Sequence, residues 1–370
     1  MNTLTKEEKQ LFRNLCDPLS EKLEVGMLDA ASPAVLGHLF WNRMQAAAYA
    51  ILKEKGLVVV IPREFRSAIA GAYEQNREKN SSFFRCINEL TDMLSTSGCR
   101  YAMLKGAYLC RYYPEGMRTS NDIDLLVMPK DVTKIGKALA DAGFSQGYIR
   151  NGSFVYASRK EIIESKMLRG ETVPYIKEVG LPSMRYLEVD INFSLDYKNS
   201  DGRTLEDMLE RATETEIEGM RIRTLAKDDF FIHLCAHLYK EATTLPWVEM
   251  KRDMTLYKYC DIHMLLANMT KNETEKMLDR AKELEMEKIC AFAIIQTAAL
   301  FDAKNAEAVS EAQKILEDAP DFIHTVISPK EKKSYVYSER DIAERFYSDN
   351  RAGLLIETEK EGGEKQYAKA

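Results

Sequence analysis

The chain has no C-x-x-C pair and no even complement of cysteines. Its seven, Cys16, Cys86, Cys99, Cys110, Cys235, Cys260 and Cys290, are scattered. That excludes the paired framework of a small secreted domain and predicts reduced thiols in a cytoplasmic protein. Long apolar runs are missing too. The best, residues 56–62, is far too short to cross a bilayer, and residues 1–11 are polar and charged, unlike a secretory leader. No membrane partner is expected. Positive charge is not in excess, the net charge being −6, so a broad basic surface for nucleic acid is not expected. A local Lys/Arg cluster can still hold a nucleotide.

What is present is an ordinary core-forming chain. With 45% hydrophobic residues, its 370 residues can fold as one large domain or two, at about 150 residues per domain. Residues 1–97 read as a helical segment packing on the core. A helix is predicted through Phe65 to Tyr73, and another on Phe83, Ile87, Leu90 and Leu94, with Ser81 or Ser82 as its cap and Gly98 as its stop. Residues 58–61 are open between a short strand and an extended connection. Residues 98–227 read as an α/β core, with strands over 100–104 and 122–128 and a hairpin turning on Asn151 and Gly152. A second small hairpin folds at Gly219. Residues 158–184 read as a charged, irregular loop broken by Gly170, Pro174, Gly180 and Pro182, either a lid or a surface insertion. Residues 228–328, poor in Gly and Pro, are expected to form a helical domain with one of its helices over 248–268. Residues 329–370 read as a charged tail, disordered from Glu357.

Two stretches carry chemistry. Asp122 and Asp124 stand at i and i+2 in the strand Asp122-Ile123-Asp124-Leu125-Leu126-Val127, so they share one face while Ile123, Leu125 and Val127 share the other. Two adjacent carboxylates repel each other unless a cation lies between them. A polar edge with nothing bound is the plain alternative. The strand of residues 185–195 is the cleanest alternation in the chain: Leu187, Val189, Ile191 and Phe193 face one way, and Glu188, Asp190, Asn192 and Ser194 the other. Asp190 could complete a three-carboxylate cluster. Before the first stretch, the apolar run Ala102-Met103-Leu104 leads through Lys105 to Gly106. His233 and His237 lie one helical turn apart, but no Glu follows His233 and no third zinc ligand is evident.

In this order, Leu104-Lys105-Gly106, Tyr113-Pro114, Arg118, Asp122 to Val127, Val189-Asp190, the helix around His233 and His237, and Lys258 to Asp261 resemble the nucleotidyltransferases of the DNA polymerase β superfamily. They are most similar to the largely uncharacterised bacterial group with an L-K-G turn. The resemblance implies a polymerase β-like α/β (α+β) core with a mixed sheet, flanked by the helical segments. It also implies a Mg2+-dependent enzyme that moves a nucleoside monophosphate from an NTP, ATP being favoured, to a hydroxyl acceptor. Asp122, Asp124 and Asp190 would hold two Mg2+ ions, with Mn2+ as a substitute, because charge builds on both entering and leaving oxygens. Lys105, Gly106, Arg118 and Lys258 would bind the nucleotide, Gly106 by letting the backbone approach the β/γ-phosphates and Lys258 with Asp261 to orient it. Ala107 departs from the Ser of the wider superfamily, and Asn192 from a frequent His. The alternative function is a non-catalytic, antitoxin-like or regulatory protein that binds a nucleotide or partner.

Overall fold

The structure, a computed structural model, describes residues 3–120, 122–168, 170–195, 202–217 and 219–358. Helix α1 (Lys6–Cys16) is opened by a reciprocal cap, the Thr5 hydroxyl accepting from the Glu8 N–H and the Glu8 carboxylate from the Thr5 N–H. Ser32 and Pro33 start α2 (Pro33–Trp41), and α3 (Gln45–Glu54) follows. Residues 58–61 form a turn. The two helices expected next are one, α4 (Arg63–Ser95), of 33 residues. The predicted break at Ser81 or Ser82 does not occur, because Ser82 does not cap: its hydroxyl donates to the Pro182 carbonyl at 2.8 Å.

A six-stranded mixed sheet comes next in the chain. It consists of β1 (Tyr101–Met103), β2 (Asp122–Val127), β3 (Ser145–Arg150), β4 (Ser153–Tyr156), β5 (Tyr175–Leu181) and β6 (Met184–Asn192), in the order β1-β2-β6-β5-β3-β4. Three helices interrupt it: α5 (Gly106–Leu109), α6 (Val132–Asp141) and α7 (Arg159–Leu168). β2 and β6 run parallel, and every other pairing in the sheet is antiparallel. The apolar alternates Ile123, Leu125 and Val127 of β2 and Leu187, Val189 and Ile191 of β6 are all buried, as period-2 patterning requires. The β3–β4 hairpin turns on Asn151 (φ 49°) and Gly152 (φ 74°), both left-handed, which is the geometry that matches strand twist.

Residues 158–184 correct the expectation of an irregular loop, whether lid or insertion. They form α7 and β5, and the breakers lie at the edges of these elements. Pro174 precedes β5, Gly180 sits where the β5–β6 register shifts, and Pro182 lies in the tight connection between those strands. Beyond β6 come α8 (Arg203–Glu210) and the hairpin of β7 (Thr213–Ile217) and β8 (Met220–Thr224), folded at Gly219 as expected. The Thr224 hydroxyl donates to the Met103 carbonyl at 2.6 Å, tying the hairpin to β1.

Helices α9 (Lys227–Thr243), α10 (Leu245–Glu249), α11 (Leu256–Ala267), α12 (Lys271–Glu283), α13 (Glu287–Leu300) and α14 (Ala306–Ile315) complete the helical run. The single helix expected over 248–268 is divided between α10 and α11. Lys251 takes a left-handed φ of 58°, and Asp253 turns in to pair with Arg351. Residues 329–358, read as a charged tail, are structured: β9 (Thr325–Ser328), β10 (Lys333–Tyr337) and β11 (Leu355–Thr358) form a sheet, with α15 (Ile342–Tyr347) between the last two. Composition misleads there because Arg345 and Arg351 are buried against polar partners. The remainder of the expected tail, residues 359–370, lies outside the described residues. The chain divides into two compact units, Met1–Glu74 with Leu234–Lys369, and Gln75–His233. Among the described residues no helix is long and apolar enough to cross a membrane.

Candidate active site

The acidic face of β2 lies within the unit Gln75–His233. Parallel pairing sets Asp124 opposite Asp190 and Asp122 opposite Glu188. Because both pairs sit at i and i+2, four carboxylates occupy one face of two adjacent strands. Asp124 is nearly fully buried, whereas Asp122, Glu188 and Asp190 are half-buried. Like charges directly across a ladder repel, so this arrangement depends on nearby positive charge or on protonation.

β1 delivers the nearest cation. Its strand bonding continues one residue further, the Leu104 N–H donating to the Asp124 carbonyl at 2.9 Å. The chain then turns through Lys105 at φ 45°, ψ −117°, a conformation that costs a side-chain-bearing residue on the order of 1–3 kcal/mol. That turn aims the Lys105 ammonium at Asp124 Oδ1, 2.8 Å away. Arg118 stands on the segment before β2. Its carbonyl accepts from Asn80 Nδ2 (2.8 Å), and its guanidinium contacts the Thr119 carbonyl.

Gly106 serves a purpose the sequence does not disclose. A Cβ at this position would lie 2.4 Å from Ser120 Cβ and 2.5 Å from Ser120 Oγ, so the space next to its backbone is filled by Ser120. The Ser120 hydroxyl in turn donates to Asp122 Oδ1 at 2.6 Å. The glycine therefore seats the serine that orients Asp122. Gly106→Ala is expected to destabilise the unit by about 1–3 kcal/mol through overpacking, and Gly106→Ala/Ser120→Gly to recover part of it, the lost Ser120–Asp122 hydrogen bond keeping the recovery incomplete. Thermal melting of both variants checks this; equal losses in the two would reject it.

The electrostatics separate these acids. Burial would raise the Asp122 carboxyl, but the Ser120 hydrogen bond and the Lys105 and Arg118 charges outweigh it and hold its pKa below the ordinary range. Asp190 is pushed well above its ordinary value by burial, then by Asp124, Glu188 and Asp122. Glu188 is raised by burial, then by Asp122 and Asp124. One acid is thus kept ionised beside others that favour a proton, which is how sites divide tasks between like groups.

Of the residues singled out from sequence, the structure brings together Asp122, Asp124, Asp190, Lys105, Gly106 and Arg118. Lys258 belongs to the other unit, on α11, where its ammonium pairs with Glu241 (2.5 Å) and lies over the Trp247 ring (5.5 Å). Asp261 is buried on the same helix, and His237 Nε2 lies 3.5 Å from Glu241 Oε2. Sequence reasoning missed Ser120 and Glu188. The alternation of residues 185–195 had placed Glu188 on the correct face, but no pattern within one strand reveals its partner across the ladder.

A family model described as an uncharacterised nucleotidyltransferase matches residues 32–302. The chain belongs to that nucleotidyltransferase family. Among solved structures it is similar to an antigenic nucleotidyltransferase-like protein from Paracoccidioides brasiliensis, with 13% identity over 56% of this chain and 90% of that one, at a TM-score of 0.32. No curated protein matches it.

For a nucleotidyltransferase, the question is whether these residues suit a divalent cation. By donor type they do: carboxylate oxygens are hard ligands, and the Lys105 ammonium already marks a position where positive charge is favoured. Adjacent strands lie about 4.8 Å apart, which puts in-register acids within reach of a shared ion. As the side chains stand, no group of three acids among the described residues converges closely enough to hold one. The residues fit such a cation in type and strand position, with side-chain adjustment required.

Proposed function

We propose that the protein transfers a nucleoside monophosphate from a nucleoside triphosphate, ATP by preference, to a hydroxyl on a small molecule or a protein, releasing pyrophosphate. The observation that carries this is the register of β2 on β6, which sets Asp124 against Asp190 and puts Asp122 on the same face beside Lys105, in a chain of a nucleotidyltransferase family. In the reaction the acceptor O–H bond breaks, its oxygen bonds to the α-phosphorus, and the bond to pyrophosphate breaks. Asp190, in register with Asp124 on the same face, would take the acceptor's proton. Lys105 and Arg118 offset the charge of the triphosphate, Arg118 with a fork suited to two phosphate oxygens. Asp122 and Asp124, with Asp190, would hold Mg2+ or Mn2+, which when bound stabilises charge on the entering and leaving oxygens.

The test is to supply purified protein with each labelled triphosphate and Mg2+ or Mn2+, with and without cell extract, and to follow pyrophosphate and labelled product. Activity that disappears in Asp122→Ala is expected. No product under any condition, or undiminished product in that variant, would overturn the reading. One observation favours a second reading, binding without turnover: the Lys105 ammonium takes an Asp124 oxygen that a cation would need. Thermal stabilisation by nucleotide and Mg2+ without any pyrophosphate would select it.

A further inference from the structure

We propose that Glu188 is a fourth acidic ligand of the site, sharing with Asp122 the divalent cation assigned above to the three aspartates; this rests on the divalent-cation reading. The ladder makes two rungs, Asp124–Asp190 and Asp122–Glu188, on one face of parallel neighbours. The second rung matches the first in charge and in register. It lies one pleat away, about 6.6 Å along the strands at roughly 3.3 Å per residue, on the same face.

The partners of the four acids differ. Asp124 holds the Lys105 ammonium, and Asp122 takes the Ser120 hydroxyl on Oδ1, leaving Oδ2. Among the described residues no side chain donates to the Glu188 carboxylate, and the charges acting on it are those of Asp122 and Asp124. Lys105 and Arg118 act on Asp122, but among the described residues no cation offsets Glu188. A glutamate directly across from an aspartate destabilises an empty ladder. A purely structural position there is met more cheaply by Thr, Lys or Arg. A hard cation bridging the rung turns the repulsion into ligation, and the longer glutamate side chain can reach an ion that the shorter Asp122 holds from the facing strand.

The test measures Mn2+ binding to the full-length protein, without nucleotide, from the electron paramagnetic resonance of free Mn2+ and from the Mn2+-induced shift in melting temperature. Wild type, Glu188→Gln, Glu188→Asp and Asp122→Asn are compared. Glu188→Gln is expected to melt higher than wild type without metal, to bind Mn2+ about 10–100-fold more weakly, and to lose most of the Mn2+-induced shift. Glu188→Asp is expected to retain part of both. If Glu188→Gln keeps wild-type Mn2+ affinity while Asp122→Asn loses it, this inference fails and the three-aspartate reading stands. If wild type binds no Mn2+, or Asp122→Asn binds as wild type does, that reading fails and takes the inference with it.

Discussion

Replacing Asp190 by Asn is expected to raise the melting temperature of the cation-free protein at neutral pH while lowering nucleotidyl transfer by on the order of 10³-fold. The activity figure follows because charge stabilisation at a phosphoryl oxygen is worth several kcal/mol and each ~1.4 kcal/mol is tenfold in rate. The stability gain follows from the acid's surroundings. Asp190 is raised well above its ordinary 3.8 by burial and by three neighbouring carboxylates. An acid with a raised folded-state pKa contributes its full stability below the ordinary value and loses it as pH rises through the raised one. At neutral pH the unfolded chain's carboxyl is ionised, so the wild type carries a deficit there and the Asn variant carries none of it. A gain of a few degrees is expected, since about 1 kcal/mol moves Tm by roughly 2–4 °C in a domain of 150–250 residues. Melting curves from pH 4 to pH 8 should fall with pH in the wild type over a range where the variant is flatter. A variant that melts lower than wild type at neutral pH, or that keeps its activity, would refute the assignment.

The opposition between stability and activity is a property of the rungs, not of one residue. Asp122 is held ionised by Ser120, Lys105 and Arg118, so neutralising it removes favourable contacts along with the charge. Asp190 and Glu188 are both raised by their acidic neighbours. Substituting them should therefore relieve strain, and substituting Asp122 should not. Such a difference between acids on one face is what a site built for cationic ligands predicts, whereas a solvated polar edge predicts three near-neutral changes.

The strands were legible because alternation is a local property. Ile123, Leu125 and Val127, and likewise Leu187, Val189 and Ile191, announce their inner faces without reference to anything else, and the acids on the outer faces follow. Asn151 and Gly152 likewise name their own turn. Glu188 was visible only as a polar alternate, because its significance lies in the register with Asp122, and parallel register is set through a long crossover that no short pattern encodes. Ser120 was hidden for a related reason: its role depends on the absent Cβ of Gly106, fourteen positions away in sequence and touching in space. The breakers Gly170, Pro174, Gly180 and Pro182 were misread because they punctuate α7 and β5 at their ends, and a dense row of such marks looks like a loop. In α4 the opposite happened: Ser82 resembles a cap but spends its hydroxyl on Pro182.

The second large effect concerns the segment that composition assigned to a tail. Arg351→Ala is expected to destabilise the unit Met1–Glu74 with Leu234–Lys369 by about 3–5 kcal/mol, the cost of stranding one partner of a buried ion pair. Asp253 is 0% exposed and Arg351 only 6%. The guanidinium grips both carboxylate oxygens, Nε to Oδ2 at 2.8 Å and Nη2 to Oδ1 at 2.7 Å. Arg351 also donates to the Phe346 and Ser348 carbonyls, at 3.4 and 3.1 Å, so its loss frees backbone acceptors around the end of α15. Next to it, buried Arg345 lies 4.3 Å over the Tyr337 ring and meets Nδ1 of His324 at 3.0 Å. His324, lowered to about 4 by burial and by Arg345, stays neutral there and can accept that bond. Since Arg345 keeps its own partners, it is not free to replace Arg351. Asp253→Ala should therefore cost a similar amount, and the double variant clearly less than the two single losses added together, because it leaves no isolated charge. Arg340→Ala is the control. It breaks an exposed pair with Asp321 at 2.7 Å and is expected to cost no more than about 1 kcal/mol. Urea unfolding of the four variants decides the matter. If Arg351→Ala falls in the range of Arg340→Ala, residues 329–358 contribute little to this unit, and the tail implied by their composition is the better description.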